Sequence, residues 1–104
     1  MKYLKTFERI EFPNPQVGDY VLVHEILNYS KKYKEFVNNN IGQITYSSSF
    51  YVGIKYENIP PEISNYFNDT HRPDVRLMHK QYIVEFAKTK EELQEKLMRK
   101  KYNL

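Results

Sequence analysis

The sequence predicts a mainly β domain with short helices, built as a five-stranded antiparallel barrel with a helix at its C-terminal end. Three observations predict it. Three β-like runs with turn residues between them lie in series: VGDYVLV at 17–23, NIGQITY at 40–46 and YVGIKYENIP at 51–60. Two more short apolar runs follow at 75–78 and 82–86, and Thr89-Lys90-Glu91-Glu92 then has the pattern of a capping box at a helix start. A chain of 104 residues gives one domain, long enough to bury a core without disulfides or metal. The expected division is an arm or short helix over 1–16, the barrel over 17–87 and the C-terminal helix over 88–104.

In the arm, Tyr3, Leu4, Phe7 and Ile10 fall at helical spacing without an N-cap, and Phe12-Pro13-Asn14-Pro15 breaks whatever forms there. Gly18-Asp19 makes a turn. Residues 20–27 then alternate, with Tyr20, Leu22, His24 and Ile26 on one face and Val21, Val23, Glu25 and Leu27 on the other. Both faces are largely apolar, so the strand is expected to be covered on both sides. Ser30 is placed to cap a helix whose Tyr33, Phe36 and Val37 form an apolar stripe, and Asn38-Asn39-Asn40 should end it, since asparagine tolerates left-handed conformations and bonds its own backbone.

Strands over 41–47 and 50–57 form a hairpin around Ser47-Ser48-Ser49, with Val52 and Ile54 facing the core. Gly53 in mid-strand points to a bulge or to close approach by another segment. Pro60-Pro61-Glu62 starts a short helix carrying Ile63, Tyr66 and Phe67 at i, i+3 and i+4, and a polar stretch over 68–74 follows it. In the final helix Glu92 with Lys96 and Glu95 with Arg99 are favourable i, i+4 pairs, and Leu93, Leu97 and Met98 make a narrow apolar stripe.

Charge and composition exclude several classes of function. The net charge of +3 is unevenly placed: residues 1–70 hold seven basic and eight acidic residues, residues 71–104 nine and five. Duplex binding uses several cationic contacts at once, and the barrel does not supply them. Basic residues of the final helix are interleaved with glutamates, the pattern of a solvated face. With no cysteine there is no disulfide framework, thiolate metal site or cysteine nucleophile. No apolar run reaches the roughly 20 residues of a membrane span, and the first ten residues lack a signal's apolar stretch. A soluble, cytoplasmic protein is expected. Asn, Lys, Tyr and Ile are abundant, as AT-rich codons favour, which fits a phage or low-GC bacterial source.

Sites for chemistry are sparse. His24, His71 and His79 lack metal-ligand spacing, and neither a metal nor a cofactor is expected. Glu57, Asp69, Asp74 and Glu85 carry no pattern that places them together, and phosphate-loop and nucleophile-elbow motifs are absent, so no enzyme is expected. Ten tyrosines and six phenylalanines stand out. Tyr20, Tyr46, Phe50, Tyr51 and Tyr56 are candidates for stacking on bases or enclosing a cation, weighed against filling the core of a domain without tryptophan.

Gly18-Asp19-Tyr20-Val21-Leu22-Val23 and Ile41-Gly42-Gln43-Ile44 resemble the G-D-x-V-x-V and I-G-x-I patterns of SH3-like barrels of the KOW and Tudor types, over roughly residues 16–87. The basic, glycine-rich second strand of a KOW motif is not matched. The chain also resembles small phage and environmental proteins with an MKYxKxFE-like start, a VGDYV strand, a VKYENIP-like strand and a final KEEL helix. The resemblance implies a fold and no particular activity. The expectation is a non-enzymatic protein-interaction module, with a phage accessory role consistent with it, that binds a protein partner through Tyr46, Phe50, Tyr51, Tyr66 and Phe67. The alternative is nucleic-acid binding, with Lys96, Arg99, Lys100 and Lys101 on phosphates.

Overall fold

The computed structural model describes residues 13–25, 30–68 and 73–102, the last three as backbone alone. The expected apolar positions of the arm, Tyr3 to Ile10, lie outside the described residues, as do Leu27, Asp69 and His71. Among the described residues five strands form: β1 (Tyr20–Val23), β2 (Gly42–Ser47), β3 (Tyr51–Lys55), β4 (Val75–His79) and β5 (Ile83–Ala87). They make one antiparallel sheet in the order β4-β3-β2-β1-β5. Helix α1 (Lys31–Asn39) follows β1, and a 3-10 helix, Pro61–Phe67, follows β3. A second 3-10 turn, Lys80–Tyr82, joins β4 to β5, and helix α2 (Lys90–Tyr102) ends the chain.

The ladder is not closed into a barrel. β4 and β5 stand at the two ends of the sheet, and among the described residues no pairing joins them. A hairpin would be needed to pair consecutive strands; the 3-10 turn instead carries the chain across to β1, where the Tyr82 carbonyl accepts from His24 N at 2.8 Å. That short link still dictates shape. Five flat strands would place the outer two about 19 Å apart, whereas three residues of 3-10 helix advance only about 6 Å. The sheet is therefore strongly curled, and its concave side holds the core.

The sequence pattern explains the core. Val21 and Val23 of β1, Ile44 of β2, Val52 and Ile54 of β3, Met78 of β4 and Ile83 of β5 are buried with Tyr33, Val37, Tyr56, Ile63 and Phe67. Phe67 is the aromatic hub, with ring centroids 5.6 Å from Tyr33, 5.8 Å from Phe36 and 5.6 Å from Tyr56. In α2 Leu93 is fully buried, Leu97 half-buried and Met98 exposed, so Leu93 is the deepest of these three where the helix packs on β5 and β1.

Several boundaries differ from expectation for local reasons. β1 stops at Val23 because the register with β5 shifts between Leu22 and Val23, and His24 then points to solvent instead of continuing the strand. Ser30 caps α1 as expected, its Oγ accepting from Lys32 N at 3.1 Å. The helix ends at the asparagine triplet as expected, with Asn40 extended at φ −127°. Its last carbonyls are met by side chains, Asn39 Nδ2 donating to Glu35 O at 2.7 Å and Asn40 Nδ2 to Phe36 O at 2.8 Å. Gly53 does sit at a bulge, where the β2–β3 register shifts between Ile44 and Tyr46. A Cβ there would lie 3.2 Å from Tyr46 Cβ, so the bulged strand needs its missing side chain. At the start of α2 the Thr89 hydroxyl accepts from Glu92 N at 3.1 Å, the forward half of the capping box.

Candidate protein-binding site

The β2–β3 hairpin is closed by Ser48. Its amide donates to Tyr51 O at 2.8 Å, and its hydroxyl accepts from Tyr51 N at 3.2 Å. This short turn lifts Phe50 outward. In the sheet, Tyr46 lies opposite Gly53, and Tyr51 lies opposite His79 of β4. The three aromatics end about half exposed, at 50 % for Tyr46, 56 % for Phe50 and 49 % for Tyr51.

The patch is firmly seated. The His79 ring stacks on Phe50 with centroids 6.2 Å apart and meets Tyr51 edge-on at 5.3 Å. His79 Nδ1 accepts from Gln81 N at 3.0 Å, which starts the 3-10 turn. Lys80 N donates to Phe50 O at 2.8 Å. The Lys80 side chain is itself buried, and its ammonium donates to Asn14 Oδ1 at 2.6 Å, tying residue 14 to the same turn. Nothing in the sequence pattern marks Lys80 as an inward-facing residue.

A cleft of about 290 Å³ opens beside the patch, lined by Tyr51 and His79 together with Glu25, Arg76, Leu77, Met78, Gln81 and Tyr82. Glu25 is 1 % exposed and continues the inward period of Val21 and Val23. Its backbone N–H donates to Asn38 Oδ1 at 2.8 Å, and its Oε2 accepts from the Tyr33 hydroxyl at 3.0 Å. Among the described residues the other carboxylate oxygen, Oε1, has no partner, and neither has the buried hydroxyl of Tyr56. The Arg76 guanidinium lies 5.3 Å above the Tyr33 ring. Burial pushes the Tyr33 phenol well above its ordinary value; Arg76 opposes that rise and Glu25 adds to it. Burial likewise raises the Tyr56 phenol, with smaller contributions from Tyr33 and Glu25.

The five expected protein-binding residues separate into two groups. Tyr46, Phe50 and Tyr51 share the hairpin, while Tyr66 and Phe67 sit by Val75 at the far end of β4. Phe67 is fully buried, because it fills the space under α1 and the sheet, and it is core instead of surface. Tyr66 is half-buried with its ring centroid 4.9 Å from Tyr33. Of the other aromatic candidates, Tyr56 is core and Tyr20 half-buried. Glu25 was legible as a glutamate on an otherwise apolar strand face, yet nothing in the sequence marked it as part of a site.

Two of the basic residues of α2 have partners within the helix and sheet. Lys96 Nζ donates to Phe86 O at 3.1 Å and lies 3.9 Å from Glu85 Oε1 and 3.8 Å from Glu92 Oε2. Arg99 pairs with Glu95 at 2.7 Å. Lys100 and Lys101 continue the helix, their side chains outside the described residues. Of the candidate carboxylates, Glu85 is on β5, Asp74 precedes β4 at the other outer strand, Glu57 follows β3, and Asp69 lies outside the described residues. Among the described residues no three His, Cys, Asp or Glu side chains are placed to hold a metal, and no helix is long and apolar enough to cross a membrane. A second, polar hollow of about 320 Å³ lies between Asn39, Gln43, Lys55 and Gln94. Two of its amides are already used, Asn39 at the end of α1 and Gln43 on Gly18 O at 3.1 Å.

Compared with known proteins, the chain matches no family model, no curated protein and no solved structure.

Proposed function

We propose that this chain is a non-enzymatic protein-interaction module of SH3-like, barrel-type architecture that docks a partner protein on its β2–β3 hairpin. The observation that carries the reading is the set of half-exposed aromatics, Tyr46, Phe50 and Tyr51, held by His79 and by the Lys80–Phe50 backbone bond. Interfaces draw their affinity from a few rigid aromatic anchors, and an aromatic already fixed in place loses little entropy on binding. The rival is nucleic-acid binding through α2, two of whose four candidate residues, Lys96 and Arg99, lie against Glu85, Glu92 and Glu95.

Affinity capture from lysate of the source cells, with and without nuclease, tests the reading. One protein retained by the wild type in both conditions, and lost when Tyr46, Phe50 and Tyr51 are all changed to Ser, is the expected result. Retention that disappears with nuclease would replace this reading with the nucleic-acid one.

A further inference from the structure

Glu25 is one of the residues lining the cleft beside the hairpin, and its carboxylate carries a buried hydrogen-bond acceptor without a partner among the described residues, which favours an occupant able to donate to it. Building on the docking reading above, we propose that this cleft receives an indole, a tryptophan side chain of the partner protein, with its N–H donated to Oε1 of Glu25.

Four observations lead to this occupant. Glu25 is 1 % exposed, and while Oε2 accepts from Tyr33, Oε1 has no partner among the described residues. A buried carboxylate oxygen left without a donor is costly, so a ligand that supplies one is favoured over one that does not. At about 290 Å³ the cleft has room for one large side chain and is at the lower limit of small-molecule pockets. Its walls include Leu77, Met78 and Tyr82, an apolar surface with a sulfur able to meet a ring edge.

Charge decides between the donors that remain. Arg76 lines the same cleft, so its positive charge offsets that of Glu25, and an entering ammonium or guanidinium would meet a like charge. A neutral donor avoids that repulsion. Indole is the neutral aromatic that only donates, whereas a phenol also presents lone pairs to the carboxylate. Tryptophan is also among the residues that most often anchor protein interfaces.

The test uses the full chain, labelled with ¹⁵N, and N-acetyl-tryptophanamide as probe. Saturable shifts of the Glu25, Met78 and Tyr82 amides are expected. The 1-methylindole analogue, which lacks the N–H, should bind about tenfold more weakly, as expected for losing one hydrogen bond to a charged group. Glu25→Gln should weaken the parent probe while leaving the analogue unchanged, and the analogue series on wild-type protein stands even if that variant fails to fold. Equal binding of probe and analogue, preferential binding of N-acetyl-lysinamide or N-acetyl-tyrosinamide, or no saturable shift at Glu25 would each overturn the proposal. Should a captured partner depend on the hairpin aromatics yet bind Glu25→Gln undiminished, the indole proposal fails while the docking reading survives.

Discussion

The Tyr33 hydroxyl donates to Oε2 of Glu25 across 3.0 Å inside the protein, joining helix α1 to the chain that leaves β1. Both residues are at most 1 % exposed, so neither end of this bond can turn to water. Tyr33→Phe removes the donor and leaves the carboxylate buried, which should cost about 1–3 kcal/mol. Urea denaturation should show a lower midpoint with an unchanged slope. An unshifted midpoint would show that the carboxylate finds another donor.

Alkaline pH should unfold the protein earlier than its exposed tyrosines alone would. The phenols of Tyr33 and Tyr56 are raised above their ordinary value of 10.0, chiefly by burial. Their neutral forms are therefore favoured in the folded state. The stability they contribute is fully present below the unfolded value and lost as pH climbs above it. Phenolate absorbance from the buried pair should appear only together with loss of the folded circular dichroism signal. Ionisation of every tyrosine with the fold intact would contradict this.

Phe67 and Phe50 should give opposite results when truncated. Phe67→Ala opens a cavity among Tyr33, Phe36 and Tyr56 and should cost about 3–5 kcal/mol. Phe50 is 56 % exposed, and Phe50→Ser should change stability by less than about 0.5 kcal/mol while weakening capture of the partner. Thermal melts of the two variants separate these roles.

Asn14 is the acceptor for a buried ammonium. Asn14→Leu should leave Lys80 Nζ without that bond and destabilise the fold by about 1.5–3 kcal/mol, while adding Lys80→Met should recover much of the loss. Hydrogen exchange at Phe50 and Tyr51 should report the same order, fastest in the single variant. Equal stability of the single and double variants would show that the ammonium reaches solvent.

Strands and helices were legible wherever period and punctuation agreed. Val52 and Ile54 announced their inward face, Ser30 and Thr89 announced helix starts, and Gly53 announced the bulge. Aromatic residues were ambiguous, because Phe67 and Phe50 look alike in sequence and only the packing of α1 over the sheet makes one core and the other surface. Closure into a barrel was not legible either, since it depends on whether the link between β4 and β5 turns back or crosses over. Of the candidate site, the hairpin aromatics could be read, but the cleft could not. Glu25 comes from a stretch distant from that of Arg76 and Tyr82, and they line one cleft only once the sheet has formed.

The pairing of β1 with β5 has a consequence during synthesis. Tyr20 lies opposite Ala87, so the first strand made waits for the last before its outer edge is covered. A nascent chain that has produced only the first four strands carries an unpaired edge bearing Val21 and Val23, a surface prone to joining other chains. Completion of this sheet is thus a late event on the ribosome, and premature termination ahead of residue 83 should yield an aggregating fragment instead of a smaller working domain.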